Sequence, residues 1–167
     1  MARILIIGGG CRGRELAREI LAMGHAARIT TRSPAAREAI EASGAECFVG
    51  TPDRLASLRG ALDGIAIACW LLAGASGTRE AVRALHGARL GAFLHQTIDS
   101  TVRALVYERG AARGDCADSA LLDAGARVAR EVSERNAIPL TVLTADIRAR
   151  EEWLEQARSA LGGLLGE

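Results

Sequence analysis

Hydrophobic and polar positions along this chain follow two periods in turn. Residues 4–7 are an unbroken apolar run that stops at three consecutive glycines, and from Gly13 onward Leu16, Ala17, Ile20 and Leu21 recur with Arg14, Glu15, Arg18 and Glu19 between them. The run predicts a buried strand, and the recurrence an amphipathic helix that ends near Gly24. The alternation then repeats. Residues 25–31 read as a second strand, and Ser33-Pro34 supplies an N-cap and a first helical proline for a helix over 34–42. Residues 45–50 read as a third strand, followed by a helix that starts at Thr51-Pro52-Asp53 and carries Leu55, Leu58 and Leu62 on one face.

The run over 65–72 is apolar at odd and even positions alike, as expected of a central parallel strand covered on both sides. A glycine-and-serine stretch over 74–77 precedes a long helical segment with Ala81, Val82 and Leu85, punctuated near Gly87 and continued through Leu90, Phe93 and Leu94. Residues 101–107 read as a fifth strand, 110–118 as a loop, 119–135 as a helix and 138–145 as a sixth strand. A closing helix over 151–165 turns Trp153, Leu154, Ala157 and Leu161 inward. Six strands alternating with helices, with no linker-like boundary, predict one α/β domain over 1–167. Its expected core is a doubly wound Rossmann-type parallel sheet in the order 3-2-1-4-5-6.

Composition narrows the function classes more than the fold. The 167 residues carry a formal net charge of +1, which leaves no electrostatic footprint for nucleic acid. All 21 basic residues other than histidine are arginine, and the chain has no lysine. Cys11, Cys47, Cys69 and Cys116 are scattered without zinc spacing and read as reduced thiols, Cys47 and Cys69 buried. Cys11 follows the glycines; a helix N-terminus there would lower its pKa, or it is simply a small residue that fits the turn. His25, His86 and His95 stand apart from other ligand types, so no metal site is expected. No apolar run approaches the roughly 20 residues of a membrane span. Nor does a signal-peptide pattern precede Gly8, so the reading is a cytoplasmic protein with no membrane partner.

The candidate chemistry begins at the glycines. Gly8, Gly10 and Gly13 fit the G-x-G-x-x-G spacing between a strand and a helix, where the first permits the turn, the second admits a pyrophosphate and the third lets helix and strand pack closely. Cys11 and Arg12 complete the loop. A NAD site places a carboxylate about twenty residues further on, yet none lies between Glu19 and Glu38, and Thr31, Arg32 and Ser33 stand there instead. An arginine fork with a neighbouring hydroxyl suits a 2′-phosphate, so NADP(H) is expected over NAD(H), with Arg12 closing on the same phosphate.

These motifs give the chain a resemblance to the atypical, NmrA-like and extended relatives of the short-chain dehydrogenase/reductases, a group that includes NAD-dependent epimerases and NADP-binding regulators. Gly8 to Gly13 resembles their nucleotide loop, Thr31-Arg32-Ser33-Pro34 the end of their second strand, Val49-Gly50-Thr51-Pro52-Asp53 the segment near the adenine, and Ala73-Gly74 the small residues that line the cofactor. The resemblance implies a dinucleotide partner held by Gly8, Gly10, Cys11, Arg12, Gly13, Arg32, Ser33, Thr51 and Ala73. It also exposes departures. That family moves protons through a Tyr-x-x-x-Lys pair; here the one tyrosine is Tyr107, Ala111 stands four positions on, and the family's adenine-side aspartate is Thr51.

The polar residues expected at the strand ends are Tyr107, Glu108 and Arg109 after the fifth strand, Asp146 after the sixth, and Ser76 and Thr78 after the fourth. Glu108 as a general acid or base, Arg109 as an anchor for an anionic substrate and Tyr107 as a hydrogen-bond donor are the catalytic candidates. The other reading packs Tyr107 in the core and pairs Glu108 with Arg109 in solvent. Two functions follow: a non-catalytic NADP(H)-binding module that senses nucleotide or binds a partner, or a small NADP(H)-dependent oxidoreductase or epimerase-like enzyme with an unconventional site. Leu90, Phe93, Val128 and Leu161 are expected to exceed what the sheet covers, which predicts a homodimer.

Overall fold

The computed structural model describes residues 1–110 and 119–166. The elements run β1 (Arg3–Gly8), α1 (Gly10–Ala22), β2 (Ala26–Thr31), a 3₁₀ turn (Pro34–Ala36) leading into α2 (Arg37–Glu41), and β3 (Glu46–Val49). A 3₁₀ helix (Leu55–Leu62), β4 (Ile67–Leu71), α3 (Arg79–Leu85) and α4 (Ala88–Ile98) follow. The chain continues through β5 (Ala104–Glu108), α5 (Ser119–Asn136), β6 (Leu140–Leu143) and α6 (Arg150–Leu165). The strands form one parallel sheet in the order β3-β2-β1-β4-β5-β6, with Ile6 beside Ile29 and Cys69, and Trp70 beside Tyr107.

Strand alternation divides the core in two. Ile4, Ile6, Cys69, Leu71 and Val106 pack on one face with Leu16 and Ile20 of α1 and Trp153, Ala157 and Leu161 of α6. Leu5, Ile7, Trp70, Leu105 and Tyr107 pack on the other with Leu58, Phe93 and Ala126. Trp70 is fixed there by an indole N–H donated to the Leu85 carbonyl at 3.1 Å and by Phe93, whose ring centroid lies 5.0 Å away.

Four expectations change. The helix expected to start at Thr51-Pro52-Asp53 begins instead at Leu55 and is 3₁₀, because apolar residues at 55, 58 and 61 recur every three positions. The long segment after β4 is two helices, separated where His86 and Gly87 leave helical geometry and His86 turns into the core. Strand β5 starts three residues later than expected and includes Glu108 as its last residue. Finally, Leu90, Phe93 and Leu161 are buried within the chain and Val128 is half-buried, so the surplus apolar face that argued for a homodimer is already covered.

Candidate functional site

Strand order reverses between β1 and β4, the switch point beyond whose strand ends a crevice opens in sheets of this kind. The glycine loop forms its rim. Gly8, Gly9 and Gly10 all have positive φ (85°, 82° and 52°), a run that side chains would strain. A Cβ on Gly8 would collide with Leu72 and lie 2.6 Å from the Leu71 carbonyl oxygen, so the loop lies directly against the end of β4. At Gly13 it would lie 2.8 Å from the Gly8 carbonyl oxygen and 3.3 Å from Ile6, so this glycine brings α1 onto β1. At Gly10 it would meet nothing within 4 Å.

Helix α1 therefore starts on an open rim, with no side-chain cap and no acidic residue in its first turn. Its first N–H groups lack intrahelical acceptors, and with the helix dipole they present a place suited to a phosphate. Cys11 is exposed there, with the Arg14 guanidinium 3.2 Å from its sulfur. Cys69, by contrast, is buried beneath the sheet face, which pushes its thiol up to about 12.

The β2–β3 side of the crevice is also open. Arg32 and Ser33 are exposed, and Arg32 makes no ion pair among the described residues. Ser33 accepts the Ala35 N–H at 3.3 Å, which leaves its own hydroxyl hydrogen available, and Thr31 holds the turn by accepting the Ser33 N–H at 3.2 Å. Thr51, half-buried, stands beyond β3. The carboxylate nearest it is Asp53, which accepts from the Thr51 hydroxyl at 3.4 Å and pairs with Arg89 at 3.0 Å.

The β4–β5–β6 side is built differently. Arg12 does not turn toward Arg32; its Nη2 donates to Glu108 Oε1 at 2.9 Å, and its guanidinium lies over the Trp153 ring, 5.2 Å from the centroid. The Glu108 side chain is 0% exposed and that of Arg12 20%, and the second Glu108 oxygen accepts the Ala73 N–H at 2.9 Å. Alternation explains the pairing: Tyr107 faces the α4–α5 side of the sheet, so Glu108 faces α1 and α6. Ile147, half-buried in the β6–α6 loop, packs over two glycines. A Cβ on Gly74 would lie 2.9 Å from it and one on Gly110 3.2 Å.

Tyr107 is buried away from this crevice. Its hydroxyl lies 2.8 Å from His86 Nδ1 and 3.3 Å from the Leu122 carbonyl, while His86 Nε2 reaches the Leu72 carbonyl at 3.2 Å. Burial, reinforced by the Glu108 carboxylate, holds the phenol well above its ordinary range, and burial lowers the His86 pKa against the opposing pull of the Leu72 carbonyl. Arg109 pairs with Asp123 at 2.9 Å, and this hydrogen bond holds the Asp123 carboxyl below its usual value. The solvated Glu108–Arg109 pair considered above is thus replaced by two pairs, Arg12–Glu108 and Arg109–Asp123. Thr78 caps α3 by accepting the Ala81 N–H, Asp146 pairs with Arg148, and Ser76 is exposed.

Arg12 as a partner for Glu108, Ile147 as a packing residue over two glycines, and the His86–Tyr107 contact all escaped the reading from sequence. The first had a signal: a fully apolar strand that ends in a carboxylate needs a buried cation, and Arg12 is the arginine inside the glycine loop. Residues 111–118, with Cys116 and Arg113, lie outside the described residues. Among the described residues no cluster of three or more His, Cys, Asp or Glu could hold a metal, and no helix is long and apolar enough to cross a membrane. A groove of about 690 Å³ between β6 and α6 lies away from the glycine loop, and its carboxylates Glu152 and Glu155 suit no phosphate.

No protein-family model and no curated protein matches the chain. Solved structures do. Triphenylmethane reductase from Citrobacter sp., complexed with NADP(H), superposes with a TM-score of 0.62 at 18% identity over 85% of this chain and 48% of its own. UDP-glucuronic acid 4-epimerase from Bacillus cereus, complexed with NAD, gives 0.64 at 14% identity over 85% and 55%. Vestitone reductase from alfalfa gives 0.62 at 14% over 86% and 56%. The chain thus has the Rossmann-type α/β fold of these structures, and it spans about half their length.

Proposed function

We propose that this protein is a nucleotide-binding Rossmann module that takes NADP(H) in preference to NAD(H) and senses nucleotide or engages a partner rather than reducing carbonyls. The observation that carries the reading is the state of the three catalytic candidates: Tyr107 is locked against His86, Glu108 is spent on Arg12 and the Ala73 N–H, and Arg109 is paired with Asp123. None is left as an acid, a base or an anchor. A tyrosine that gives up a proton near neutral pH needs a nearby cation and access to substrate; here the phenol is buried and its pKa raised. The open glycine rim, the uncapped start of α1 and exposed Arg32 and Ser33 support binding of a phosphate-bearing adenosine.

The test is a turnover screen of the purified protein with NADPH against aldehydes, ketones, quinones and sugar nucleotides. The reading expects no oxidation above background. Robust oxidation that is lost in Tyr107→Phe contradicts it and makes Tyr107 the catalytic acid.

A further inference from the structure

We infer that the crevice accepts only the phosphoadenosine half of a dinucleotide, so the ligand class is an adenosine 2′,5′-bisphosphate and the nicotinamide half is left outside. The inference rests on the nucleotide-binding reading above and divides the site that reading treats as whole. A dinucleotide lies across a crevice of this kind, one half on each side of the switch point. Here the two sides differ.

On the side of β4, β5 and β6, side chains of the chain itself meet across the strand ends. Arg12 crosses from the start of α1 to Glu108 at the end of β5, Glu108 also takes the Ala73 N–H beyond β4, and Ile147 fits over Gly74 and Gly110. One ion pair, one backbone hydrogen bond and one apolar contact thus tie together the four segments that follow β1, β4, β5 and β6. Seating a nicotinamide riboside among them means moving Ile147 off two glycines whose missing side chains it replaces, and parting Arg12 from a fully buried carboxylate. Breaking a buried pair carries a cost that corresponds to on the order of a hundredfold or more in affinity. The β2–β3 side asks for no such rearrangement. Gly10 has open space above it, and Arg32 and Ser33 stand exposed at the β2 end.

The experiment is a calorimetric titration of the unmodified protein with 2′,5′-ADP, NADPH and reduced nicotinamide mononucleotide, with dihydronicotinamide fluorescence followed in the NADPH arm. The inference expects 2′,5′-ADP and NADPH to bind within about threefold of one another, the mononucleotide not to bind, and NADPH emission to keep its free-solution position. NADPH binding more than about tenfold tighter than 2′,5′-ADP, with enhanced and shifted emission, overturns the inference while leaving the nucleotide-binding reading intact. Failure of both 2′,5′-ADP and NADPH to bind overturns the parent reading as well. In Ile147→Ala, NADPH is expected to gain several-fold while 2′,5′-ADP stays within about twofold, and equal shifts for both ligands contradict the closure.

Discussion

The two halves of the sheet's carboxyl edge are made of the same parts, parallel strands feeding loops and helices, yet one half leaves several donors uncommitted and the other spends its polar groups internally. Beyond β1 and β2 stand an uncapped helix start, an exposed arginine and a serine hydroxyl with a hydrogen to give. Beyond β4, β5 and β6 an arginine, a carboxylate, an amide and an isoleucine close on one another. On the inference drawn above, a Rossmann fold does not by itself guarantee a complete Rossmann site. The difference also shows how a charge enters such an edge: Glu108 is tolerated at the end of an otherwise apolar β5 because the glycine loop delivers Arg12 to it.

Breaking the closed half should produce the largest effect. Arg12→Leu leaves the Glu108 carboxylate buried without its cation and should cost about 3–5 kcal/mol in urea unfolding, whereas Arg12→Leu with Glu108→Leu should recover most of that loss. A double variant no more stable than the single one would mean that the pair is not the source of the effect. Next comes the tyrosine beneath it. Gly125, within α5, lies where a Cβ would strike the Tyr107 hydroxyl, so Gly125→Ala should cost about 1–3 kcal/mol although alanine favours a helix. Unchanged or raised stability would show that α5 can shift away from Tyr107.

The open half should respond in binding rather than in folding. Arg32→Ala should narrow the affinity gap between NADPH and NADH by about 1–3 kcal/mol, as expected for hydrogen bonds to a charged group. Stability should stay within about 0.5 kcal/mol, since the residue is exposed and unpaired among the described residues. A change in stability without a change in the gap would remove Arg32 from the site.

The smallest expected effect is a pH dependence from His86. Its folded pKa lies below the ordinary 6.5, so the unfolded chain takes up a proton that the folded chain refuses. The contribution is therefore fully present above about pH 6.5 and is lost as the pH falls below it. Urea midpoints of the unmodified chain should drop more steeply over this range than those of His86→Gln, and parallel profiles would show that His86 does not titrate with unfolding.

Much of the fold was legible because it depends on runs and periods. The apolar stretch at 4–7, the glycines after it and the two-sided apolar run at 65–72 define central parallel strands, and the sheet order follows from alternation with helices. The two departures in that region are local: apolar residues every three positions at 55–61 make a 3₁₀ helix, and His86 leaves its helix because a buried hydroxyl and a carbonyl await it. The glycine rim was legible as well, since Gly8 and Gly13 do the packing that their spacing demands. The closed half was not. Arg12 and Glu108 lie 96 positions apart, and no local pattern says that one strand-end carboxylate will find one loop arginine rather than its neighbour Arg109. Ile147 likewise gains its role from two glycines far away in sequence, a pairing that exists only once the loops have met.

The most direct measurement of the central claim is a calorimetric titration of the unmodified protein with NADPH and with NADH under one set of conditions. The account predicts that both report on one site and that NADPH binds more tightly by about tenfold or more, through the 2′-phosphate on Arg32 and Ser33. Equal affinities would contradict the assignment of Arg32, and the absence of heat for either nucleotide would contradict the claim that the open half of this edge is a nucleotide site.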